Sequence, residues 1–222
     1  MSWWLIQRII YITLLSTIVV YGIIFYKKLN RPYIFLLFLL IATLTIESLA
    51  IVIAYKPPPR NDNSWVYEIF SPIQASLITI VYFFILQSKK IKKVCVFMFL
   101  VTLSIILYEF LFLNYKHSNL NVVSRSIFYL LLSLVLMLDW LLNPKEDSII
   151  KVPAFWMNNG MLLFYTINIL FWSIFKTQYF KLLGLGAIFK KLLYFSNLTL
   201  YLLILLSFIM LVKKNKNDRL KI

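Results

Sequence analysis

Six ionisable side chains stand inside otherwise apolar stretches of this chain: Arg8, Glu47, Glu68, Glu109, Arg125 and Asp139. A charge at the middle of a bilayer costs about 2.5–3.5 kcal/mol on insertion scales, so such a group faces a bundle interior, finds a partner or is neutral. Arg8, Glu47, Glu68, Glu109 and Arg125 all fall toward one end of their segments. Together they suit a polar cavity that takes a small ligand or a lipid headgroup. The alternative is that they are ion pairs and snorkelling groups that set helix order. That alternative is the stronger one for Glu68 and Arg125, which lie close to segment ends. Glu47 is the deepest, about 12 Å in at 1.5 Å per residue, and no residue on its own segment can pair with it. Asp139 sits at the opposite end and groups with Asn158 and Asn159 as an inner polar cluster. Asn168, Asn197 and Gln74 are neutral amides, expected to contribute packing hydrogen bonds of about 0.6–2 kcal/mol each.

Other chemistry lacks its parts. The single histidine, His117, falls in a polar linker, and the single cysteine, Cys95, falls in an apolar run. One cysteine forms no internal disulfide and no multi-cysteine metal site. A metal would need all-carboxylate ligands with at most His117 added, so no metal and no cofactor is expected. Gly-x-Ser-x-Gly, His-Glu-x-x-His and phosphate-cradling glycine loops do not occur. The expectation is a non-enzyme, with a lipid-acting enzyme as the weakest reading.

The elements that position these residues follow from composition. The chain has 222 residues, 62% hydrophobic and 14% charged, against about half apolar and a quarter charged in soluble domains. Seven apolar segments are read: Trp3–Tyr26, Tyr33–Tyr55, Val66–Leu86, Val94–Leu113, Val122–Leu142, Ala154–Phe175 and Leu192–Val212. Each approaches or exceeds the roughly 20 residues that span a bilayer. The runs are continuous rather than alternating, which excludes a β-barrel. The expected fold is all-α, a polytopic transmembrane seven-helix bundle. Residues 1–212 form one domain, and 213–222 form a basic tail. No basic leader or small-residue cleavage site marks the first segment as a signal peptide.

Charge sets the expected orientation. Lys+Arg number 23 against 8 Asp+Glu. The turns after segments one, three and five and the tail carry 14 of the basic residues, the other three linkers 7. The positive-inside rule then places the N-terminus outside and the C-terminus in the cytoplasm. Basic residues flanking apolar runs meet anionic headgroups, and no nucleic-acid partner is expected. Trp3, Trp4, Trp65, Trp140 and Trp156 lie near segment ends, where the headgroup layer favours them.

Three stretches carry a resemblance. Leu44-Thr45-Ile46-Glu47, Asn63-Ser64-Trp65-Val66-Tyr67-Glu68-Ile69-Phe70 and Val152-Pro153-Ala154-Phe155-Trp156-Met157-Asn158-Asn159-Gly160 resemble small seven-helix membrane proteins of Bacteroidota, often encoded beside sensor histidine kinases. The resemblance implies a signalling role in a bacterial inner membrane and identifies no ligand. The third stretch also has a physical reading. Pro153 suits a helix start, Phe155 and Trp156 suit an interface anchor, and Gly160 permits close approach of a neighbouring helix. The expectation is a membrane sensor or regulatory subunit acting on a cytoplasmic or membrane histidine kinase. Its alternative is a small transporter or channel using the intramembrane carboxylates.

Overall fold

A computed structural model describes residues 3–54, 63–112, 120–144, 148–174 and 186–219. The proline-rich linker 57–59 and His117 lie outside the described residues. Among the described residues seven α-helices follow in order: α1 Trp3–Ile24, α2 Arg31–Ala54, α3 Ser64–Ile85, α4 Lys89–Phe112, α5 Leu120–Leu142, α6 Pro153–Ile174 and α7 Gly186–Arg219. Two 3-10 turns, Tyr26–Lys28 and Ile149–Lys151, join α1 to α2 and precede α6. No strand occurs among the described residues.

Six of the helices are long and apolar enough to cross a membrane. The exterior agrees: on α4, Phe97, Leu100, Leu111 and Phe112 are exposed, while Cys95, Thr102, Ile106 and Glu109 form its buried stripe. Continuous exposed apolar surface on this scale marks a membrane or partner surface, and six such helices indicate a multi-pass membrane protein. The exception among the seven is α6, which carries Asn158, Asn159, Gly160 and Asn168. It packs chiefly against α7 and α5, and this position explains its composition. An interior helix presents little surface to lipid and can devote residues to polar contacts.

Helix ends differ from expectation in two places. The lysines Lys89–Lys93, expected as a turn, form the first turns of α4. The last helix begins at Gly186 and continues to Arg219, so most of the expected basic tail is helical. Asn215 Nδ2 donates to the Lys28 carbonyl at 2.7 Å and ties this extension to the turn after α1. Proline acts as anticipated at the start of α6, where its missing N–H is harmless. The α3 helix runs through Pro72, which deletes the backbone bond to the carbonyl four residues earlier.

The chain runs up and down, so one end of the bundle gathers the starts of α1, α3, α5 and α7 and the other gathers the basic turns. Two hydrogen-bond networks lock the half toward the basic end. Tyr82 of α3 donates to Asn158 Oδ1 at 2.8 Å and lies 2.9 Å from the Ser133 hydroxyl, while Asn158 Nδ2 donates to the Ser133 carbonyl at 3.1 Å. This joins α3, α5 and α6. Ser207 of α7 donates to the Pro153 carbonyl at 2.7 Å and accepts from the Tyr33 hydroxyl, joining α2, α6 and α7. Leu132, Leu136, Met157, Ile204 and Phe208 pack between them as a buried apolar plug.

Gly160 sets the α6–α7 spacing. A methyl group there would meet the Leu200 backbone, both Cα and carbonyl oxygen, at 3.2 Å. At Gly22 the nearest atom is the mobile end of the Leu37 side chain. We therefore expect Gly160→Ala to destabilise the detergent-solubilised protein by about 1–3 kcal/mol, the range for overpacking. Gly22→Ala should cost clearly less in the same thermal-unfolding assay.

Candidate ligand cavity

Away from the locked half the helices enclose a cavity of about 560 Å³, within the 300–1,000 Å³ typical of small-molecule sites. Its walls come from six helices. Gln7 and Tyr11 enter from α1, Thr43 and Glu47 from α2, Tyr67 and Gln74 from α3. Arg125, Ser126 and Tyr129 enter from α5, Tyr165, Asn168 and Trp172 from α6, and Lys190, Tyr194, Asn197 and Tyr201 from α7. Lys190 is exposed and marks the rim.

Glu47 is the acidic group of this wall. The Tyr67 hydroxyl donates to Glu47 Oε2 at 3.2 Å. The Tyr11 hydroxyl and the Arg8 guanidinium both lie close enough to act on Glu47. Tyr11 and Tyr201 bring their hydroxyls within 3.5 Å, with rings 5.4 Å apart. Glu47 is thus met by groups from α1 and α3, as a carboxylate on an apolar helix requires. Arg8 stands behind this cluster rather than in the cavity wall.

Arg125 forms the cationic wall opposite. Its Nη1 donates to Gln74 Oε1 at 2.8 Å, and its Nε donates to the Asn121 carbonyl at 3.4 Å. Gln74 thereby positions the guanidinium rather than simply packing α3.

Glu68 and Glu109 do not reach the cavity wall. They form a neighbouring cluster between α3, α4 and α5. Asn121 Nδ2 donates to Glu68 Oε2 at 2.7 Å and lies 3.3 Å from Ser71 Oγ. Arg125 and Glu109 both act on Glu68 electrostatically, with opposite sign. Glu109 is buried on the inner stripe of α4, and its Oε2 has no hydrogen-bond partner among the described residues. Of the five residues expected around one cavity, Glu47 and Arg125 line it. Arg8 and Glu68 each sit against one of those two, and Glu109 lies beyond Glu68.

At the basic end the expected cluster of Asp139, Asn158 and Asn159 divides. Asp139 is fully buried and accepts from the backbone N–H of Gln87 at 2.6 Å and of Ser88 at 3.3 Å, and from Asn143 Nδ2 at 3.0 Å. A buried carboxylate here meets backbone donors at the α3–α4 turn and offsets the lysines that begin α4. Asn158 belongs to the Tyr82–Ser133 lock. Asn159 Nδ2 donates back to the Phe155 carbonyl of its own helix at 2.9 Å. Trp140, near the end of α5, is buried against Phe155.

Sequence reading missed the aromatic and amide share of the cavity. Nothing in the sequence singles out Tyr11, Tyr67, Tyr129, Tyr165, Tyr194 or Tyr201 for a role here, and Asn168 and Asn197 read as packing amides. A signal was nevertheless present: each of these residues lies in the same half of its helix as Glu47 and Arg125 lie in theirs. The Tyr129 hydroxyl and Asn168 Oδ1 are buried at the cavity, and neither makes a hydrogen bond among the described residues. The Arg125 guanidinium approaches the Tyr129 hydroxyl and acts on it both electrostatically and as a neighbouring donor, at a geometry short of a hydrogen bond. A buried polar atom left this way costs about 1–3 kcal/mol.

Removing the Asp139 carboxylate tests the assignment at the other end. Asp139→Ala strands two backbone donors, so it is expected to destabilise by about 1–3 kcal/mol. Amide exchange should accelerate at Gln87 and Ser88 while exchange in the cavity helices is unchanged.

Compared with known proteins, the chain matches no family model, no curated sequence and no solved structure.

Proposed function

We propose that this chain is a multi-pass protein of a bacterial inner membrane that acts as a sensor or regulatory subunit. In this reading the N-terminus faces outward and the C-terminus the cytoplasm. A small polar ligand enters the cavity from outside, and a histidine kinase or similar partner reads the basic end.

The observation that carries this reading is the course of α7. It contributes Lys190, Tyr194, Asn197 and Tyr201 to the cavity and ends in Lys213, Lys214, Lys216 and Arg219. At 34 residues it is about 51 Å long, against about 30 Å of bilayer hydrocarbon. One rigid element therefore joins the ligand cavity to the basic surface. The positive-inside rule supports the orientation, since the basic turns gather at the end away from the cavity. Linkers this short hold no output domain, so a partner is required.

The carrier reading rests on Glu109, whose buried Oε2, without a hydrogen bond among the described residues, lies near Glu68. Flux in proteoliposomes that Glu47→Gln or Glu109→Gln abolishes would favour it over a sensor.

Cysteine labelling tests the topology and the cavity together, because Cys95 is the chain's one thiol and is buried. Gln74→Cys in a Cys95→Ser background should react with a membrane-impermeant methanethiosulfonate from the outer face of spheroplasts. Reaction only from the cytoplasmic face reverses the orientation, and no reaction from either face removes the cavity. Replacing Lys213, Lys214 and Lys216 by Gln should abolish co-purification of the signalling partner while leaving labelling unchanged.

A further inference from the structure

The chemistry of the cavity wall narrows the ligand, on the proposed reading that the cavity is a receptor site. Its charges are largely settled within the protein. Glu47 is met by Arg8, Tyr67 and Tyr11, and Arg125 by Glu68 and Gln74. That leaves Lys190 at the rim as the wall cation to which no acid is bonded among the described residues. A cavity with this balance favours one anionic group near the rim, next to Lys190 and within the field of Arg125.

Deeper in, the unfilled hydrogen-bonding capacity is neutral. Asn168 Oδ1 is an acceptor without a donor, and the Tyr129 hydroxyl makes no hydrogen bond among the described residues. Ligand O–H groups satisfy both, since a hydroxyl donates to the amide oxygen and either donates to or accepts from the phenol. Between these points the wall offers aromatic faces from Phe70, Phe164 and Trp172, which suit the C–H faces of a polyol. A fully apolar ligand leaves the buried polar atoms stranded. A bare inorganic anion leaves the deep half of the cavity unsatisfied.

We infer that the cavity binds a small hydroxylated anion: a compound of sugar or glycerol type with several hydroxyls and one carboxylate or phosphate group. That chemistry arrives either as a free solute or as the headgroup of a membrane lipid such as a phosphatidylglycerol.

The test uses the full chain in nanodiscs, with binding read by thermal shift and tryptophan fluorescence. Free probes are glucuronate, sn-glycerol 1-phosphate, glucose and inorganic phosphate in phosphatidylcholine discs. A second set of discs contains phosphatidylglycerol. Glucuronate or glycerol phosphate should bind at least about 10-fold more tightly than glucose or phosphate, the gain expected of one charge-assisted hydrogen bond. If the source is a lipid, phosphatidylglycerol discs alone should raise the midpoint, and the free probes should then add little.

Two variants sharpen the result. Lys190→Gln, at an exposed position, should bring glucuronate down to the affinity of glucose. Tyr129→Phe removes a hydroxyl that makes no hydrogen bond among the described residues and has the Arg125 guanidinium beside it, so it should leave unfolding unchanged or raise the midpoint. It should weaken the hydroxylated anion about 3- to 10-fold, one net hydrogen bond. A loss of stability in Tyr129→Phe contradicts the assignment of its hydroxyl to the ligand. Equal binding of glucose and glucuronate, or of phosphate and glycerol phosphate, overturns the ligand class. So does silence from every probe in both discs while the labelling variant Gln74→Cys still reacts from outside; in that case the receptor topology stands. Loss of that labelling overturns the receptor reading itself.

Discussion

The structure depends on one constraint: a polar group on an apolar, membrane-length helix must find its partner inside the bundle. Water is absent from a hydrocarbon layer, so each unmet donor or acceptor costs several kcal/mol. The seven helices answer this in two ways. Toward the basic end, polar groups are paired within the protein, through Tyr82, Ser133 and Asn158 and through Tyr33, Ser207 and the Pro153 carbonyl. Toward the opposite end they are gathered around a volume. The same rule explains α6, whose asparagines and Gly160 would be poor choices on a lipid-facing helix and are well placed on a central one.

This division determines how far the sequence was legible. The helices were readable because a run of about 20 apolar residues is a strong one-dimensional signal. Their ends were less so. Lysines favour helix as readily as they favour a turn flank, which is how Lys89–Lys93 became the start of α4 and Lys213–Arg219 the end of α7. Depth was readable too, because rise per residue places Glu47 and Arg125 in the same half of the bundle. Angular position was not. With apolar residues on all sides of each helix, nothing in the pattern says which face turns inward. Glu68 and Glu109 therefore share the depth of the cavity without lining it, and Asp139 shares the depth of Asn158 and Asn159 while bonding to other groups.

Tyrosine shows the same limit from another side. A buried phenol and an interfacial phenol look identical in sequence, since the ring serves both surroundings. Tyr33 and Tyr82 close locks, Tyr67 holds a carboxylate, Tyr11 meets Tyr201, and the Tyr129 hydroxyl is left without a hydrogen bond among the described residues. Only the three-dimensional accounting of donors and acceptors separates these roles. That accounting also reassigns Gln74, an apparent packing amide that in fact holds the Arg125 guanidinium.

The asymmetry between the two halves has a mechanical consequence. Packed, hydrogen-bonded contacts are discrete and resist continuous deformation, so the locked half is the fixed end of the bundle. The cavity half encloses an open volume and holds polar atoms without hydrogen bonds among the described residues, and less tightly packed regions open most easily. On the proposed sensor reading, a ligand that satisfies those atoms would draw the walls together, and α7 is the wall that continues past the locks. Its rotation or tilt would be resisted at Ser207 and at the Gly160–Leu200 contact. These points would act as a fulcrum, with Lys190 on one arm and Asn215, bonded to the Lys28 carbonyl, on the other. A small change at the rim would therefore reappear at the basic surface as a changed arrangement of Lys213, Lys214 and Lys216 against the turn at Lys27 and Lys28, where a partner carrying acidic groups can distinguish the two states.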